Sequence, residues 1–277
     1  LFKNQSLDLS YQTCCDRRGL YRFPNLPLDS SGPFGLFRIR RTLAAPGEIL
    51  IYPAFQPLKR LRLLAQPGFS ERQARRAGMS SDILGIREYR PGDSLRQIHW
   101  RSTAHTGQLM VKEFADAEQL TMTVVLDLQK GRSAGQGKFS TFETAVRLAA
   151  SFGYYAGQQN MPFYLAGASL RRPPPRRALG WWGILNYLAR VEQDGPEPLA
   201  SVLGQLPALP FVIVLVSRPD EAIATALSAL ARQGTRLLAM FITPDGALPE
   251  VATGLQSPGL TVRAVGPYDW VDVLGGL

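Results

Sequence analysis

The sequence predicts an α/β protein: a mainly parallel, Rossmann-like sheet with helices on both faces, preceded by a small β-sandwich-like region. Two observations predict the sheet. From residue 120 onward, apolar strand-like runs alternate with helix-like runs, the order that βαβ units produce. The strand runs are rich in β-branched and apolar residues without polar alternation, as strands buried on both faces require. A third observation predicts the preceding region, where short segments of period two are separated by Gly, Pro and Ser turns and carry no helical pattern.

Taken in order, residues 6–11 alternate polar and apolar, and further short strands fit 20–28, 36–43 and 48–52. Together they read as part of a sandwich over residues 1–57. Residues 58–115 read as a linker, rich in Arg, Gln and Ala up to 82 and followed by a compact polar passage over 84–113. Residues 116–277 read as the α/β domain, with strands at 121–126, 163–168, 212–217, 236–242 and 261–265. Ser140-Thr141-Phe142-Glu143 is a capping box, in which the Ser hydroxyl and the Glu carboxylate satisfy free amides at a helix start. The helix that follows runs to about Gln159 and buries Phe142, Val146, Ala149, Ala150 and Phe152. Other helices fit 181–192, 198–205 and 220–232.

A chain of 277 residues that is 45% hydrophobic can bury one sizeable core and a smaller companion. The net charge of +9 is unevenly placed: residues 1–115 hold 18 Lys/Arg against 9 Asp/Glu, whereas residues 116–277 hold 13 of each. A basic face of this kind suits an acidic protein surface or anionic lipid; no nucleic-acid reader motif accompanies it, so nucleic acid is not an expected partner. The run Arg171 to Arg177 is interrupted by three prolines and reads first as a stiff exposed loop. Cys14 and Cys15 are adjacent, a poor geometry for bridging each other, which points to a reducing compartment. The longest apolar run, 211–216, is too short to cross a bilayer, and the start at Leu1 on strand-like text reads as a cut fragment.

Several motifs invite a catalytic reading and fall short of it. Loop 128–138 carries glycines and Lys138 before a helix, but Arg132 stands where a phosphate loop needs Gly and Phe139 where it needs a hydroxyl for magnesium. A flexible surface loop is the plainer reading, with a nucleotide-dependent hydrolase as the alternative. His99 and His105 do not form a metal pair with the distant cysteines, and no Gly-x-Ser-x-Gly elbow is present. Trp181 and Trp182 read as core packing. In the polar passage, Pro91-Gly92 forms a turn and Asp93 or Ser94 caps a short helix whose Leu95 and Ile98 face inward. Glu88, Arg90, Asp93, Arg96, His99, Trp100 and Arg101 then form either an ion-paired network fastening the linker or a docking surface.

The run REYRPGDSLRQIHWRSTAHTGQLMVKEF followed by TVVLDL closely resembles the bacterial domain-of-unknown-function 58 family, and the earlier RRGLYRF, DSSGPFGLFRIRRTL and ILIYP segments resemble the β region that precedes it there. The resemblance implies a von Willebrand A-like domain on the cytoplasmic face of a bacterial membrane, tethered by N-terminal helices that this chain does not carry. It also implies a partner, a MoxR-type AAA+ ATPase, and a role in assembling or maturing other proteins. A metal-binding domain of that type holds magnesium through Asp-x-Ser-x-Ser after its first strand. The matching positions here are Asp127, Gln129 and Gly131, of which only the aspartate keeps its ligand. At the later strand end stand Ser217, Arg218 and Asp220, with Arg218 expected to neutralise Asp127. The reading is therefore a non-catalytic protein-docking module with a degenerate metal site and no bound cofactor. Asp127, Gln129, Ser217, Arg218 and Asp220 would mark its sheet-edge site, and lipid or nucleic-acid binding through the basic first part is the other alternative.

Overall fold

The computed structural model describes residues 10, 12, 14–31, 33–61, 83–90, 98–114, 120–207, 209–255 and 257–277. Most of the strand expected over 6–11, all but Ser10, and most of the stretch 58–82 lie outside them.

Five strands form one parallel sheet: β7 (Met122–Leu126), β8 (Phe163–Ala166), β9 (Phe211–Val216), β10 (Arg236–Ile242) and β11 (Leu260–Val265). Their spatial order is β11-β10-β9-β7-β8, so the chain adds β8 on one side of β7 and then returns to add the rest on the other. Such an order reverses between β7 and β9, and that reversal opens a crevice at the carboxyl ends of the two strands. β7, β9 and nearly all of β10 are buried on both faces, which explains why their sequences show no alternation.

Side chains nevertheless alternate between two cores. One face (Val124, Leu126, Ile213, Leu215, Leu238 and Met240) packs against α2 (Thr141–Gln158), α3 (Trp181–Arg190) and α7 (Trp270–Gly275). The other face (Val125, Val212, Val214, Val216, Leu237 and Phe241) packs against α4 (Leu199–Gly204), α5 (Glu221–Arg232) and α6 (Glu250–Thr253). All five positions expected inside α2 are buried. Its capping box is half as expected. Ser140 Oγ accepts the Glu143 amide at 3.2 Å, but the Glu143 carboxylate turns away to pair with Arg18.

The expected small sandwich over residues 1–57 is realised as two-stranded antiparallel sheets. β1 (Gly19–Phe23) pairs with β4 (Gly47–Ile51), and β2 (Leu26–Ser31) pairs with β3 (Arg38–Leu43). The two pairings nest, so that the four strands make one long hairpin ribbon, broken where Pro24-Asn25 oppose Ala44-Ala45-Pro46. Pro24 and Pro46 lack amide protons for the ladder, a physical reason for the break. Among the described residues no second sheet covers the ribbon.

Arg18 fastens the base of the ribbon to the α/β domain. Its guanidinium donates to the carbonyls of Leu188 and Val191 at 2.6 and 2.7 Å, pairs with Glu143 at 2.7 Å and lies over the Phe142 ring. The segment after the ribbon continues the attachment: Phe55 packs on Tyr154 and Trp181, and Leu58 and Leu61 enter the main core. Residues expected to begin a linker thus belong to the core of the α/β domain. The tryptophan pair divides, because Trp181 packs against Phe55 whereas Trp182 is 68% exposed.

The polar passage also holds more strand than its charges suggest. β5 (Ile83–Glu88) pairs antiparallel with β6 (Met110–Phe114), and α1 (Trp100–Thr106) lies between them in sequence.

Candidate functional site

β7 and β9 carry Asp127 and Ser217 to the crevice between them, because each residue follows directly on its strand. Both are almost wholly buried, at 2% and 4% exposure. Asp127 Oδ1 accepts the amide of Gln129 at 3.3 Å, and the Asp127 carbonyl accepts from the Gln193 side chain at 2.9 Å. Ser217 Oγ has no hydrogen-bond partner among the described residues.

The positive charge facing Asp127 comes from Arg132, which corrects the expectation for Arg218. Arg132 Nε lies 3.6 Å from Asp127 Oδ2, while its Nη2 donates to Asp220 Oδ2 at 2.7 Å and to the Arg218 carbonyl. Arg218 contributes that backbone oxygen and leaves its own side chain exposed. The reason is local geometry. Pro219 and Asp220 turn the chain into α5, where Asp220 Oδ1 caps the helix by accepting the Ile223 amide at 2.8 Å. Its other carboxylate oxygen is thereby aimed at the loop after β7, where Arg132 reaches it. One guanidinium therefore bridges two carboxylates across the reversal point.

Burial pushes the Asp127 carboxyl above its ordinary value, and the Arg132 charge together with the Gln129 and Ser217 amides opposes that rise. A magnesium ion does not fit this arrangement. Gly131 has no ligand atom, the Gln129 backbone faces Gly195, and a guanidinium already stands beside both carboxylates. Among the described residues no group of three His, Cys, Asp or Glu side chains is placed to hold a metal.

Loop 128–138, read as flexible, is tied down along its length. Gln129 forms a parallel bridge to Gly195, with Lys130 N donating to the Gly195 carbonyl and Gly195 N to that of Leu128. A Cβ on Gly195 would stand 1.8 Å from the Ala168 carbonyl oxygen, so this approach is open to glycine alone. At the loop's far end, the start of α2 offers no free amide to a phosphate. Thr141 N donates to Ala134 O, Phe142 N to Ser133 Oγ, Glu143 N to Ser140 Oγ and Thr144 N to Ser140 O. Lys138 is paired with Asp16 at 2.9 Å. The amides at the start of α2 and the Lys138 ammonium therefore already have partners within the chain.

The polar passage over 84–113 is described only in part. Pro91, Gly92, Asp93 and Arg96 lie outside the described residues. Of the rest, Ile98 is buried and bridges Val111, as its inward orientation predicts. His99 has a role that the expected ion-pair network did not include: it caps α1, its Nδ1 accepting the Ser102 amide at 3.2 Å. Glu88, Arg90, Trp100 and Arg101 are exposed.

Sequence reasoning missed Arg132, Gly195 and Arg18. Their partners are far away in the chain, and the only local signal was an arginine interrupting a glycine-rich loop.

The fold and crevice define a doubly wound α/β domain whose strand-end site is closed by its own charges. Comparison with known proteins places the chain further. A family model described as "Protein of unknown function DUF58" matches residues 85–197, and over that span the chain carries a DUF58 region. It is also similar to the "Uncharacterized protein YeaD" of Bacillus subtilis (strain 168), at 24% identity over 151 residues. That match covers 53% of this chain and 35% of the relative's length.

Proposed function

We propose that this chain is a non-catalytic docking module of a membrane-tethered protein, von Willebrand A-like in binding through its strand-end edge but without the metal. Its partner is a MoxR-type AAA+ ATPase, and the pair acts in the assembly or maturation of other proteins at the cytoplasmic face of the membrane. The observation that carries the reading is the Asp127–Arg132–Asp220 bridge. Acid–base or nucleophilic catalysis needs a titratable group free to exchange protons or attack. At this reversal point one guanidinium hydrogen-bonds Asp220 and lies at ion-pair distance, 3.6 Å, from Asp127, and the exposed charged side chains next in the chain are Lys130, Arg218 and Glu221. Lys130 and Arg218, with no acidic partner among the described residues, suit contact with an acidic protein surface.

The test is a tagged pull-down with ATP from the parent organism's detergent-solubilised lysate. It would compare the unaltered chain with a Lys130→Glu/Arg218→Glu variant. Recovery of the ATPase by the first and its loss from the second is the expected result. An ATPase recovered equally by both would remove the strand-end edge from the interaction, and no ATPase in either would remove the partner.

A further inference from the structure

We infer that the tip of the hairpin ribbon inserts into the interface of an anionic lipid bilayer. The turn between β2 and β3 carries Phe34, Leu36 and Phe37, which are 98%, 76% and 72% exposed. Three large apolar side chains within four residues, at the far end of a projecting ribbon, form a patch that water does not favour. Phe34 holds a left-handed backbone (φ 61°, ψ 13°), a conformation costly for a bulky residue, and its ring contacts almost nothing within the chain. Behind the tip, one ribbon face carries Ile39 opposite Ser30, Leu28 opposite Arg41 and Leu26 opposite Leu43, so its four exposed apolar side chains share that face with Arg41.

Charge selects the occupant. The two carboxylates of strands β1 to β4 are each neutralised within the ribbon, Asp29 by Arg40 at 2.7 Å and Glu48 by Arg22 at 2.8 Å. Arg38 and Arg41 have no acidic partner among the described residues and stand just behind the apolar tip. At roughly 3.3 Å of rise per residue they lie within about 15 Å of Phe37 along β3. Apolar side chains at the apex with guanidinium groups set back from them is the depth order of a lipid interface. Rings would reach the acyl boundary, about 5–10 Å in, while arginines meet the phosphates. An acidic protein groove would match the arginines but not an apex of unbroken apolar surface.

The test is flotation of the full chain with vesicles of equal parts phosphatidylglycerol and phosphatidylcholine, set against pure phosphatidylcholine. Binding to the anionic vesicles, weakened by salt, is expected. Phe34→Ser/Phe37→Ser should weaken it by about tenfold or more, and Arg38→Gln/Arg41→Gln by about fivefold per charge. All four positions are exposed, so the thermal unfolding of each variant should match the unaltered chain and exclude misfolding as the cause. Absence of flotation, or flotation indifferent to Phe34 and Phe37, overturns the inference. Self-association in light scattering that disappears in the phenylalanine variant, without vesicle binding, would instead assign the tip to a second copy of the chain. Neither result bears on the strand-end edge, whose variants lie in a different part of the fold.

Discussion

Removing the Arg132 guanidinium would leave the Asp127 carboxylate buried without a facing cation, and the cost can be worked from the geometry. At 3.6 Å and an effective dielectric of about 20, the gross attraction is about 5 kcal/mol. Desolvation of Asp127 offsets much of that, and the partly exposed Asp220 contributes under about 1 kcal/mol. Arg132→Ala should therefore cost about 2–3 kcal/mol at neutral pH. The sign of its pH dependence follows from Asp127, whose folded carboxyl already lies above its ordinary value because of burial. A group with a raised folded pKa opposes folding when ionised, so its penalty is absent well below the ordinary carboxylate range, sets in as pH rises past that range and is complete above the folded value. Losing Arg132 raises that value further, so the deficit of Arg132→Ala should be largest at neutral pH and shrink towards acid. Asp127→Asn removes the charge, and in that background Arg132→Ala should cost about 1 kcal/mol or less. Urea unfolding of both single variants and the double variant, at neutral and mildly acidic pH, reads the coupling directly. An Arg132→Ala cost that is the same with and without Asp127, or that does not change with pH, would refute the bridge as the element that neutralises the crevice.

Arg18→Ala should free the ribbon from the α/β domain. It breaks two charged hydrogen bonds and a buried ion pair, a loss of about 3 kcal/mol, visible as faster proteolytic cleavage within 19–51 and a lower Tm. Unaltered cleavage would show that Phe55 and Leu58 suffice to hold it. Gly195→Ala should cost about 3 kcal/mol, since the new methyl cannot clear the Ala168 carbonyl without parting the bridge to Gln129. Chemical denaturation would measure it, and a change below about 0.5 kcal/mol would mean the bridge yields freely. Ser140→Ala removes the cap of α2 and should cost about 1 kcal/mol, with Glu143 still held by Arg18.

The parallel sheet was legible because burial on both faces leaves a direct mark on composition. Phe211 to Val216 cannot be anything but apolar if both sides are packed, and the Ser140 hydroxyl marks the start of α2 within one residue. The ribbon was half legible. Period-two text identifies strands, but whether four strands fold into a sandwich or a nested hairpin depends on pairing, which alternation does not encode. β5 and β6 were missed for a related reason: a strand rich in Arg, Glu and Lys looks like a surface passage until its partner across α1 is known.

The crevice illustrates a different limit. Reading residues 127, 129 and 131 along one loop finds a single acid, but it cannot find a cation that is itself part of the protein. Arg132 meets Asp220 across 88 residues, and Arg18 meets the end of α3 across 170. Charge pairing at such separations is set by the order of strands in the sheet, and the reversal between β7 and β9 is what brings the two loops together. A metal would have made Asp127 depend on solution conditions. A tethered guanidinium places the opposing charge beside Asp127 without an ion from solution, so its position is set by the fold alone.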